Sequence, residues 1–226
     1  DTPPRSHFSP HRGYITHIGD KEKKIVSKIF NSLKIDIQPS QSEISPFRSK
    51  TAIQHAFGLF EKGIVIAHKP NYKSSVDSAK YDHGHTVVEV DVKSRYLGLF
   101  KEVRNQFEKN KNIPIILLIV CPQNPCAISM NDEEEKELHQ LINDLPINII
   151  HDIAYQGYNE FPKDVGKIYR DKGMPHKNQV YLSFLSTSKS IYASGQPAFY
   201  TADKNSLDFI KDHYKRVATG PTSTFV

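Results

Sequence analysis

The sequence predicts an α/β protein built on a central, mostly parallel sheet flanked by helices. Short runs rich in β-branched residues alternate with amphipathic stretches at helical spacing through most of the chain. The run at 113–120, Ile-Pro-Ile-Ile-Leu-Leu-Ile-Val, is almost continuously apolar, as a strand buried on both faces must be. Polar side chains capable of chemistry follow directly after several of these runs, at the edge where parallel sheets bind ligands.

Residues 1–20 are rich in Pro, Ser, His and Gly without a sustained apolar period and read as an extended arm. Residues 21–226 read as one large domain. A first helix over 22–33 places Ile25, Ile29 and Phe30 on one face, and Pro39 with its polar neighbours ends that element. A second spans 47–61, where Ala52, Ile53, Ala56, Phe57 and Phe60 recur at helical intervals, and Gly63 stops it. A strand at 64–67, a polar helix-compatible stretch from Ser74 and a strand at 86–92 then give a βαβ rhythm. Helix 97–110, strand 113–120, helix 131–142 and strand 147–153 continue it. Asn131 caps the third of these elements, whose acidic first turn suits the positive end of a helix dipole. Strands at 180–185 and 198–201 and a closing helix at 204–217 complete the alternation.

The bulk properties exclude several classes. A chain of 226 residues with 38% hydrophobic and 24% charged residues can bury a sizeable core. Its longest apolar stretch, 113–121, falls far short of the roughly 20 residues that cross a bilayer, and the amino terminus has no apolar signal region. These features point to a soluble, cytoplasmic protein with no membrane partner. The formal charge of +5 is spread among interleaved acids and bases, which suits a solvated face better than a nucleic-acid interface. Cys121 and Cys126 lack a matching ligand cluster and read as small buried thiols rather than a zinc site.

The polar residues after the strands form an ordered set. Cys-Pro-Gln-Asn124-Pro125-Cys126 follows the strand at 113–120. His151-Asp152-Ile153-Ala154-Tyr155-Gln156-Gly157 ends the strand at 147–153, and Ser186-Thr187-Ser188-Lys189 follows the strand at 180–185. This order of Asn-Pro, Asp-x-x-Tyr and Ser-x-x-Lys resembles the fold-type I pyridoxal-phosphate aminotransferases, and the Asp152 segment is especially similar to the aspartate aminotransferase group. Pro70-Asn71-Tyr72 resembles the family's Pro-x-aromatic element. Tyr14, five residues before Gly19, resembles a segment that reaches a partner subunit. The likeness runs from Tyr14 to the Thr219-Gly-Pro-Thr-Ser tail.

The resemblance implies the large domain of this fold without its small carboxyl-terminal domain, either as a fragment or as a natural short form. It implies pyridoxal 5'-phosphate as cofactor, an amino-acid-like substrate, a transferase reaction through a Lys189 Schiff base and a homodimer with shared sites. Lys189 would carry the aldehyde and later move the substrate's α-proton. Asp152 would hold a proton on the pyridine nitrogen, and Tyr155 and Asn124 would bond the ring's phenolic oxygen. Tyr72 would stack on the ring, while Ser186 and the backbone donors near Ser49 and Lys50 would hold the phosphate.

The likeness has two departures. The family places an arginine eight residues after its lysine to clamp the phosphate, whereas this chain reads Gly195-Gln196-Pro197. The small domain, which usually supplies an arginine for the substrate's carboxylate, has no counterpart before Val226. A degenerate, non-catalytic relative acting as a binding or scaffolding module is therefore the alternative. A metal enzyme built on His83, His85 and His151 is a rival with less behind it, because those histidines have no acidic partner at a recognisable metal spacing.

Overall fold

The structure, a computed structural model, describes residues 19–156, 164–186 and 198–219. Tyr14, Lys189 and Pro197 lie outside the described residues, as do the glycine and the residues that follow Thr219. The described strands form one seven-stranded sheet in the order β1-β7-β6-β5-β4-β2-β3. Its parallel part comprises β3 (Thr86–Asp91), β2 (Ile64–Lys69), β4 (Ile115–Val120), β5 (Asn148–Asp152) and β6 (Tyr181–Leu185). β7 (Phe199–Ala202) runs antiparallel to β6, and the three-residue β1 (Ser42–Ile44) runs antiparallel to β7.

Strand alternation divides the core into two main layers. Val65, Ala67, Ile116, Leu118, Ile150, Leu182 and Phe184 face one side of the sheet. There they pack on α2 (Ser49–Ala56) and α7 (Leu207–Thr219) through Ala52, Ile53, Ile210 and Tyr214. Ile64, Ile66, Leu117, Ile119 and Ile149 face the other side. They meet α4 (Arg95–Lys109) and α5 (Asp132–Asp144) through Tyr96, Leu99, Phe100, Leu138 and Leu141. A smaller third cluster seats α1 (Asp20–Ser32) against Ile44, Ile153, Leu185 and Phe199.

Several details differ from the sequence expectation. The buried stripe of α1 runs through Val26 and Phe30, and Ile25 is exposed. The second helix is α2 followed by a 3-10 turn at Phe57–Leu59, so it ends earlier than the apolar spacing suggested. Gly63 marks more than a helix stop: a Cβ at that position would collide with the carbonyl oxygen of Pro114 where β2 starts beside β4. The polar stretch after Tyr72 is a short helix, α3 (Lys73–Asp77), continued by a π turn at Ser78–Asp82. β1 and α6 (Lys167–Lys172) are additional elements. Cys121 is only partly buried and Cys126 is exposed, because the turn that carries Cys126 lies beyond the end of β4.

Candidate active site

The parallel strands deliver their carboxyl ends to one edge of the sheet. β2 ends there at Lys69 and passes into Pro70-Asn71-Tyr72; β4 ends at Val120 and passes into residues 121–126. β5 ends at Asp152, and β6 gives way to Ser186, a buried residue two positions past Phe184, which pairs with Asp152 across the strands. Residues brought together at this edge are therefore distant in the chain, Asp152 and Ser186 by 34 positions and Pro70 and Ser186 by 116, as ligand sites of α/β sheets generally are.

Asp152 shares the face of Ile150, the side packed by α2 and α7, because side chains alternate along β5. Its Oδ1 accepts the Ala154 N–H at 3.0 Å. Burial nevertheless pushes its carboxyl up to about 6, and the bond to that amide only partly offsets the shift. Next to it, the Asn124 amide nitrogen donates to the Tyr155 hydroxyl at 3.2 Å, joining the loop after β4 to the loop after β5. Both side chains are partly accessible.

Across the edge, α2 begins at Ser49 with Lys50 in its first turn. The Lys50 Nζ lies 5.6 Å from the centroid of the Tyr72 ring, within cation–π range. Tyr72 is 50% exposed, which leaves much of its ring uncovered. The structure thus joins Asn124 with Tyr155 and Lys50 with Tyr72, and it sets Asp152 and Ser186 at the ends of neighbouring strands. Lys189, expected three residues beyond Ser186, lies outside the described residues.

Sequence reasoning passed over two residues at this edge. Gln123 sits within the quoted motif, but as a neutral residue it drew no attention; its side chain is 2% exposed and bonds the carbonyl of Pro70. Glu134, which receives Arg95, Tyr96 and Asn131, braces the opposite side of the loop after β4. The Asn-x-x-Glu spacing of a capping box was its readable signal.

The rival histidines are differently engaged. His85 receives the Gly63 N–H at Nδ1 and meets the Phe57 carbonyl at Nε2, so both ring nitrogens serve the backbone. His151 points to the other face of the sheet, with its Nδ1 2.7 Å from the Tyr181 hydroxyl. Among the described residues, no group of three or more His, Cys, Asp or Glu side chains could hold a metal.

A family model, aminotransferase class I and II, matches residues 12–224. The chain belongs to that family. Solved aminotransferases share its fold. The aromatic aminotransferase of Pyrococcus horikoshii OT3 superposes with a TM-score of 0.70 at 15% identity, covering 90% of this chain and 53% of its own. A double mutant of Thermus thermophilus aspartate aminotransferase gives 0.68 at 15%, covering 89% of this chain and 50% of its own. The tyrosine aminotransferase of Leishmania infantum gives 0.68 at 13%, covering 90% of this chain and 56% of its own. The chain spans about half the length of these aminotransferases. No curated protein sequence matches it significantly.

Proposed function

We propose that this class I and II aminotransferase chain binds pyridoxal 5'-phosphate at the carboxyl edge of its sheet and transfers amino groups from an amino-acid-like substrate, with Lys189 as the reactive amine. The observation that carries this reading is the meeting of Asn124, Tyr155 and Asp152 at one edge, in the chain order of the family. The donor set suits the cofactor. A buried carboxylate that pays a desolvation penalty gains most from a protonated aromatic nitrogen, and an amide beside a phenol provides two groups able to bond a phenolate.

Bound there, pyridoxal phosphate supplies an electron sink for the electrons left behind when a substrate loses its α-proton. Asp152 would hold the proton at the ring nitrogen and keep that sink effective. Asn124 and Tyr155 would fix the phenolic oxygen, and Tyr72 would cover one ring face. Ser186, with Ser49 and Lys50 at the start of α2, would hold the phosphate, Lys50 giving the positive charge that Pro197 does not. Lys189 would carry the aldehyde and then move the proton at the substrate's α-carbon. Residues 1–20 form an arm and residues 21–226 the large domain in this reading. Family resemblance at Tyr14 and the Thr219 tail supports a homodimer, and a cytoplasmic location accords with the lack, among the described residues, of any helix long and apolar enough to cross a membrane.

The test is titration of the purified full chain with pyridoxal phosphate. A visible absorbance band should develop, and borohydride should fix the cofactor covalently to Lys189, as peptide mass mapping would read. Lys189→Ala should abolish attachment, while Asp152→Ala should retain weakened binding but lose amino transfer from a panel of amino acids. A wild-type chain that develops no band, or that is labelled at another lysine, sinks the reading.

A further inference from the structure

The loop after β2 carries Tyr72 and the loop after β4 carries Asn124. Gln123 links them. Its Nε2 donates to the Pro70 carbonyl at 2.5 Å and to the Asn124 carbonyl at 3.0 Å, and its Oε1 accepts the Cys126 N–H at 3.0 Å. The backbone of the same residue is also engaged: its N–H donates to the Ile128 carbonyl at 2.8 Å, and its carbonyl receives the Ala127 N–H at 2.7 Å. A primary amide offers two donors and one acceptor oxygen, and all three groups are in use inside protein.

The bond to Pro70 spans 53 residues. Among the described residues it is the hydrogen bond that joins residues 70–73 to residues 121–126. On one side of it, Asn71 donates to the His68 carbonyl at 2.6 Å, so the turn leading to Tyr72 is itself fixed. On the other side, Asn124 reaches Tyr155. A continuous path therefore runs from the loop bearing Tyr72, through Gln123, to the pair expected to bond the ring's phenolic oxygen.

We infer that Gln123 is a positioning residue of the cofactor site: it sets the Tyr72 loop against the Asn124–Tyr155 pair so that the ring is covered and its phenolic oxygen bonded in a single geometry. This inference rests on the cofactor reading above for its consequence, but the tether itself stands on the hydrogen bonds. Gln123 touches neither cofactor nor substrate in this assignment and acts through Tyr72 and Asn124.

Two variants separate the tether from the local turn. Gln123→Met keeps length and volume and removes every side-chain hydrogen bond. Gln123→Glu keeps an acceptor for the Cys126 N–H but has no donor for the Pro70 or the Asn124 carbonyl, so the turn keeps its Cys126 bond and the tether is lost. In the full chain, both should bind pyridoxal phosphate at least tenfold more weakly than wild type, and both should move the pH at which the visible band changes form. A glutamine that only stabilises the turn would lower the melting temperature of Gln123→Met and leave that pH where it was. Binding within twofold and an unmoved pH in both variants overturns the inference; if Gln123→Met does not fold, Gln123→Glu decides alone.

A wild-type chain that fails to bind the cofactor refutes the cofactor reading and not the tether. Amide hydrogen exchange then judges the tether independently. The Ser75 amide, bonded to the Tyr72 carbonyl at 2.9 Å, reports on the first loop, and the Cys126 amide on the second. Gln123→Glu should speed exchange at Ser75 about tenfold while leaving Cys126 protected. Unchanged exchange at Ser75 in that variant overturns the tether.

Discussion

At Asp152, the proposed role and stability pull in opposite directions. A carboxyl whose folded pKa, at about 6, exceeds its value of 3.8 in the unfolded chain is more readily protonated in the native protein. Its contribution is thus favourable at low pH and is lost as pH rises through 6. Without added cofactor, Asp152→Asn should stabilise the chain by about 1–3 kcal/mol at pH 8, since the asparagine keeps an oxygen for the Ala154 amide and carries no charge. The advantage should shrink toward zero by pH 4. Urea denaturation at the two pH values measures it, and an equal difference at both would show that charge burial is not the cause. Asp152 was legible in the sequence because its neighbours spell a motif after an apolar run. Gln123 was not, because its significance lies in one bond to a carbonyl 53 residues away, which no local pattern encodes.

At the scale of elements, α5 shows how a cap can serve a second helix. Asn131 accepts the Glu134 N–H at 2.9 Å, and the Glu134 carboxylate accepts the Asn131 N–H at 2.9 Å, a reciprocal capping box. The same buried carboxylate receives the Arg95 guanidinium at 2.9 Å and the Tyr96 N–H at 3.2 Å. Arg95 opens α4 with φ at 54°, a left-handed conformation that a side chain other than glycine adopts at a cost, and the ion pair holds it there. Asn131→Ala should therefore destabilise by about 1 kcal/mol, the ordinary loss of a cap. Glu134→Ala should cost about 2–4 kcal/mol, somewhat below a fully buried pair because the Arg95 guanidinium is half exposed. Chemical denaturation compares them, and equal losses would mean that α4 gains nothing from Glu134. The long helices and the Asn131 cap were readable because their apolar residues repeat over three turns or more. β1 and α6 are three and six residues long, too short for a period to emerge, and β1 exists only because β7 offers it an edge.

For the whole molecule, the sheet's parallel half followed from strand–helix alternation, whereas the reversal at β7 is fixed by packing against β6 and has no signature in the residues 199–202 themselves. Interior histidines govern how that assembly responds to acid. Burial lowers the pKa of His55, His68, His83, His139 and His213, and it lowers His151 to about 3, with the Arg170 charge adding to the effect. Each is more basic in the unfolded chain, near 6.5, so unfolding takes up protons and stability falls as pH drops from 6.5 toward 3. Asp152 works against this between pH 6 and 4, and Asp203, whose carboxyl pKa burial also raises, acts in the same direction, but two carboxyls oppose six histidines. The free energy of unfolding should consequently decline from pH 7 to pH 5. At pH 5 His151 is neutral when folded and charged when unfolded, and therefore accounts for about one proton of the uptake, or about 1.4 kcal/mol per pH unit. His151→Gln, whose amide oxygen can accept from the Tyr181 hydroxyl, should flatten the slope between pH 4.5 and 5.5 by about that amount, even if its stability at pH 7.5 is lower. Urea unfolding across that interval reads the slope directly, and a variant as steep as wild type would assign the acid sensitivity to the more accessible His55, His83 and His213 instead.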